Sequence, residues 1–446
     1  MTITTPPARA PGPTRAAGWP RPFRFLYAAS LLDGLGYQVS FLSVPVLAVA
    51  VLDAGPGQVG LLGMLSTVAF LLIGLPAGVW VDRLPRRTVL LVAELGRAAL
   101  FASVPLAWWA GALTVGQMYV VVALVGVGTV FADVAAQSYL PELVGWDRLI
   151  GANAVLVSTG GVLQIAGRGF GGLLVQAVGA PVAVALNAVT YLLSAGLIAR
   201  LCPNPAAAPV PGGVPASAAV GASGRPGTVA PVPDRSRRVG GGFGRQLAEG
   251  LRHVLGNPLL RPLVLSNTLT NLTMQLMTVM LPVVFLRDLG LGAGVLGAFL
   301  GCGGVGALLG SLVARPLAAR IGYGRALWLP GLLVAPTAAL VPLVDGGPRL
   351  WLAGFGWLAL AWRTGIGNVV GVSFRQRATP DALLGRMNAT FRFLLTGALA
   401  VGAGLAGLLG AYGSVRTSLW LGAAGAASSW LPVFCSRLRS RRELPD

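Results

Sequence analysis

A backbone that crosses a bilayer must satisfy its own N–H and C=O groups, so long apolar runs read as membrane helices. Twelve such runs, each about 20 residues or more, dominate this sequence. The first six lie at 23–52, 59–81, 88–112, 115–140, 151–178 and 181–201. The second six lie at 259–286, 293–314, 326–344, 350–372, 388–411 and 414–435. The expected fold class is an all-α polytopic membrane protein, with twelve transmembrane helices in two six-helix bundles. Composition agrees: 55% of residues are hydrophobic and 11% charged, where soluble proteins carry roughly 25% charged residues.

The formal charge of +19 comes entirely from arginine, since no lysine occurs. In a soluble chain that excess would suggest nucleic acid; here its placement excludes that partner. Arg287, Arg349 and Arg416 fall in loops of one side, and Arg97, Arg168, Arg261, Arg363 and Arg392 fall within spans. The rest gather on the other side, which short basic loops mark as cytoplasmic. Attraction to anionic lipid headgroups reinforces that orientation. An even number of spans puts both termini in the cytoplasm, and the expected location is the plasma membrane.

The expected organisation is a disordered cytoplasmic tail (1–20), a first bundle (21–201), a flexible Pro/Ala/Gly/Ser-rich linker (202–242), an amphipathic interfacial helix (243–257), a second bundle (258–436) and a basic tail (437–446). Cys202, Cys302 and Cys435 lack C-x-x-C spacing, and His253 is the only histidine, so no disulfide framework, metal or cofactor is expected. Gly301-Cys302-Gly303-Gly304-Val305-Gly306 fits a dinucleotide fingerprint in letters only, because it lies inside a span without a βαβ unit. No phosphate-binding loop and no nucleophile–base pair appears, so no enzyme is expected.

The most informative turn is Gly78-Val79-Trp80-Val81-Asp82-Arg83-Leu84-Pro85-Arg86-Arg87, squeezed between the second and third runs. Gly78 is expected to admit a neighbouring helix closely, and Asp82 to face a helix N-terminus. This G-x-x-x-D-R-x-x-R-R pattern resembles the signature loop of the major facilitator superfamily, with Pro85 where the family usually has Gly. The resemblance implies two rocking halves and a conformational lock made by Gly78, Asp82, Arg83, Arg86 and Arg87, with Asp133 accepting Arg86 in the outward-open state. The equivalent turn of the second half, 315–325, keeps Arg320 and Arg325 but has Ala319 where Asp82 aligns. The stretch from Phe243 to Arg261 resembles the enterobactin-exporter-like and macrolide-efflux-like branch. Glycines crowd the second, fifth, eighth and eleventh runs, which in this family form the seam between the halves.

Ionisable groups inside a span are functional candidates by default. Asp33 lies near mid-span, with Tyr37 one turn later, and is either a proton carrier or a fixed partner for Arg363. Glu94 and Arg97, at i and i+3, are placed to neutralise one another. Arg168 stands where the family's drug/proton antiporters often carry proline, a departure that weakens antiport. Asn267, Asn271 and Gln275 share one helical face, as do Thr364 and Asn368. The family's architecture implies that these stripes line a central cavity. The expected function is export of a hydrophobic or amphipathic small molecule by a monomer, with protons as a candidate coupling partner. Uptake on the same scaffold and a non-transporting membrane sensor are the alternatives.

Overall fold

The structure, a computed structural model, describes residues 18–74, 76–201, 243–380 and 383–443. The expected linker and most of the expected N-terminal tail lie outside the described residues. The first half contains α1 (Arg21–Ala50), α2 (Pro56–Ile73), α3 (Pro76–Asp82), α4 (Arg86–Trp109), α5 (Val115–Val144), α6 (Leu149–Val178) and α7 (Ala180–Ala199). The second contains α8 (Phe243–Gly256), α9 (Leu260–Val283), α10 (Ala293–Ile321), α11 (Tyr323–Val334), α12 (Arg349–Arg377), α13 (Leu384–Tyr412), α14 (Val415–Ser428) and α15 (Leu431–Phe434). No strand occurs among the described residues.

Among the described residues, ten helical segments are long and apolar enough to cross a membrane. The remaining two crossings are α12, whose apolar content is diluted by Arg363 and three tryptophans, and the broken α14–α15 pair. Two of the expected continuous runs are interrupted among the described residues. The run 326–344 tightens into a 3₁₀ helix over Ala335–Leu343, which contains Pro336 and Pro342. The last run breaks at Ser429, three residues before Pro432. Elsewhere the turns are extremely short. Gly179 alone joins α6 to α7 and Gly322 alone joins α10 to α11, at φ of 82° and 91°, a left-handed backbone that side-chain-bearing residues rarely adopt.

Helix α8, the amphipathic segment, packs on α13 and α9: Val254 is fully buried with Leu260, Leu263 and Phe391, Leu255 is exposed, and Glu249 pairs with Arg386 at 3.2 Å. The basic C-terminal segment also docks, burying Leu438 completely and offering the carbonyl of Arg441 to the Gly324 N–H at 2.9 Å.

The packing defines two faces. Towards the face opposite the arginine-rich turns, one apolar core runs through both halves, joining Leu42, Val46 and Leu47 of α1 to Met277, Met280 and Leu281 of α9. Towards the basic face the core divides: one cluster belongs only to the first half and two only to the second. The glycine seams repeat this. A Cβ built on Gly172 of α6 would lie 2.6 Å from Gly297 Cα of α10, and one on Gly407 of α13 would lie 2.9 Å from Gly60 Cα of α2. Nearer the basic face, Gly160 and Gly161 on α6 and Gly78 on α3 would meet nothing within 4 Å. The two bundles are therefore clamped at one face and splayed at the other.

Candidate functional site

Arg97, midway along α4, is 1% exposed and yet charged. Its guanidinium donates to Asp33 Oδ1 of α1 at 2.9 Å and to Glu94 Oε1 at 2.6 Å, and lies 4.5 Å above the Tyr191 ring of α7. Tyr191 in turn stacks on Phe101 with ring centroids 5.7 Å apart. Gly128 of α5 makes room, since a Cβ there would come within 3.0 Å of Arg97 Cγ. Two carboxylates sharing one cation leave this cluster formally one negative charge in excess. The two acids are not equivalent: the Asp33 side chain is 30% exposed and the Glu94 side chain 4%. Of the two acids, Asp33 is the accessible one.

The expected Asp33–Arg363 pairing does not form. Arg363 points away, towards the helix break of the last span, where it donates to Ser429 Oγ at 2.6 Å. Ser429 closes α14, and a cation suits the partial negative charge of a helix C-terminus. Arg363 is thus a structural fastener of the second bundle. The Glu94–Arg97 pairing forms as the spacing implies. Sequence spacing had no means of finding the Asp33–Arg97 pair, because it joins residues 64 apart on different helices.

Around this cluster Tyr37 is 54% exposed, and Arg168 of α6 stacks over Phe41 of α1 at 4.8 Å. On the second half Asn267, Asn271 and Gln275 are half-buried and Asn368 is exposed. Asn271 spends its amide donor on the Asn267 carbonyl at 2.9 Å. The first half thus presents charge and aromatic rings, and the second presents amides.

The signature turn contacts only its own half among the described residues. Arg86 pairs with Glu142 instead of Asp133, and Arg87 donates to the Ala199 carbonyl. Gly78 admits no neighbour, and the side chain of Asp82 lies outside the described part of the structure. Asp133 is half-buried on α5. With the basic face splayed, the second bundle is out of reach of this turn. Cross-half contact persists along α2 and α13 at this depth: Arg392 lies over the Phe70 ring at 4.0 Å, and a Cβ on Gly397 would lie 3.5 Å from Leu71 Cδ1.

At the opposite face Arg287 donates to Asp53 Oδ1 at 2.5 Å and to the Ala54 carbonyl at 3.1 Å, bridging the halves. Asp53 is 93% exposed, so the bridge is worth about 0–1 kcal/mol. Asp53→Asn or Arg287→Gln is expected to raise labelling of a cysteine placed in the closed seam by no more than about tenfold, since 1.4 kcal/mol is a factor of ten. Complete opening would mean that the clasp, not the apolar core, holds this state.

Residues 26–374 match the family model described as Major Facilitator Superfamily. The chain belongs to that superfamily of transporters. Among curated proteins it resembles the multidrug efflux pump Tap of Mycobacterium tuberculosis, 29% identical over 181 residues. That match spans 39% of this chain and 42% of Tap. Solved structures with the same fold include the nucleoside transporter NupG, with TM-score 0.70, 11% identity, and 93% of this chain and 98% of that one covered. A bacterial homologue of the iron transporter ferroportin in its inward-facing state gives TM-score 0.68 at 16% identity, covering 94% of this chain and 99% of that one. For this major facilitator transporter the cleft between the bundles is the candidate translocation site, with Asp33 the accessible member of the otherwise buried Asp33–Arg97–Glu94 cluster.

Proposed function

We propose that this transporter exports a hydrophobic or amphipathic small molecule from the cytoplasm by rocker-switch alternating access, as a monomer in the plasma membrane. The observation that carries this reading is the half-open Asp33 at mid-membrane, in a cleft that opens only towards the arginine-rich face. Short arginine-rich loops belong in the cytoplasm, so the splayed face is the one from which an exporter loads, with both termini on that side. The cleft's aromatic and amide lining suits a cargo with more apolar surface than charge. The partial likeness to a multidrug efflux pump points the same way.

Coupling is assigned to Asp33. Protonation there removes one of the two carboxylates competing for Arg97 and leaves the buried Glu94–Arg97 pair balanced. The test is flux of an amphipathic dye, ethidium, in proteoliposomes of known orientation with and without an imposed pH gradient. The expected result is dye movement away from the basic face, accelerated when the gradient drives protons towards that face, with Asp33→Asn at least tenfold slower and indifferent to the gradient. Wild-type flux that ignores the gradient would remove Asp33 from coupling, and accumulation towards the basic face would replace export by uptake.

A further inference from the structure

Outside the central cleft, a cavity of about 570 Å³ opens between the basic ends of α10 and α12 and the first residue of α11. Arg315 and Arg377 both line it, with Tyr323 and Gln376 beside them and a wall that includes Ala314 and Val370. No carboxylate lines it. Neither arginine makes an ion pair among the described residues, whereas nearby Arg375 is occupied by the Phe391 ring at 4.7 Å. Both arginines are exposed along one cavity, so an anion seated there would meet two guanidinium groups at once. The sequence shows why none is supplied internally: Ala319, another lining residue, stands where the first half's signature turn has Asp82.

We propose that this cavity binds the phosphate headgroup of an anionic membrane phospholipid. Guanidinium recognises phosphate through paired N–H donors. Arg315 lies six residues before the end of α10, about 9 Å along the helix, within side-chain reach of the headgroup layer. Ala319, exposed, and Val369, half-buried, give the lining an accessible apolar side that suits the glycerol and first acyl carbons, which a free phosphate lacks. A basic pocket between helix ends on the arginine-rich side is a setting in which anionic lipid headgroups are bound. The inference goes beyond the transport reading and does not depend on cargo or direction.

The test uses the full-length protein, delipidated in detergent and titrated with phosphatidylglycerol, phosphatidylcholine or inorganic phosphate, read by native mass spectrometry and thermal unfolding. Phosphatidylglycerol is expected to bind and raise the unfolding temperature, with phosphatidylcholine at least tenfold weaker and inorganic phosphate without effect at matched concentration. Arg315→Gln/Arg377→Gln is expected to weaken phosphatidylglycerol binding at least tenfold, and Ala319→Asp to do so while leaving both arginines in place. Arg320→Gln, a change outside the cavity lining, is expected to bind as the wild type does. Should the double variant fail to fold, Ala319→Asp and Arg377→Gln alone carry the comparison. Equal binding by wild type and the cavity variants, an equal loss in Arg320→Gln, or inorganic phosphate binding as well as the lipid would each overturn the proposal.

Discussion

Arg97→Leu is expected to leave little folded protein. The substitution strands Glu94, whose side chain is 4% exposed, and Asp33 beside it without a cation. Removing one partner from a buried ion pair costs about 3–5 kcal/mol, much of it the penalty on the charge left behind. Net stabilities are about 5–15 kcal/mol, so the loss is a large fraction of the total. The thermal midpoint in detergent is expected to fall by roughly 10 °C or more, at about 2–4 °C per kcal/mol. Neutralising the whole cluster in Asp33→Asn/Glu94→Gln/Arg97→Met is expected to restore most of that midpoint, because an apolar replacement of a buried charge set is often neutral. Transport is not expected to return, since the proposed coupling residue Asp33 is neutralised along with its partners. An Arg97→Leu protein as stable as the wild type would show that the cluster is not held by its charges.

Gly172→Val is expected to do the reverse: preserve folding and stop the transport cycle. A Cβ at Gly172 lies 2.6 Å from Gly297 Cα and 2.9 Å from the Ala293 carbonyl oxygen, both backbone atoms of the other half. Backbone yields only if the helices separate. Overpacking costs about 1–3 kcal/mol, charged solely to the state in which this seam is closed. Such a bias changes that state's population roughly 5- to 150-fold. Flux is expected to drop at least tenfold while the thermal midpoint moves by a few degrees, because each bundle folds without this contact. Gly196→Val, on α7 away from the seam and with open space around it, is the control and should transport normally. Equal flux in the two variants would mean that α6 and α10 do not close on each other during the cycle.

The architecture was legible because it depends on properties that are local in sequence. Apolar length marked the crossings, and the glycine-rich runs proved to be the close-packed seam. The helix breaks were half legible. Pro336, Pro342 and Pro432 are breakers inside apolar runs, but a hydropathy pattern averages over them. Partner choice was not legible, because it is settled by which helix faces which. Asp33 and Arg97 meet across two helices, while Arg363 turns to a helix end created by the break at Ser429. The signature turn illustrates a different limit. Its letters name the loop, but its ties to Glu142 and Ala199 belong to one conformation of a molecule built to adopt two.

The central claim is that two rigid bundles pivot about a seam, so that one face opens as the other closes. Pulsed electron spin resonance measures this directly, with labels at positions 83 and 386 across the basic face and, in a second sample, at 112 and 345 across the opposite face. In Gly172→Val relative to wild type, the account predicts a shorter distance across the basic face together with a longer one across the other. Distances that stay fixed, or that lengthen at both faces together, would contradict it.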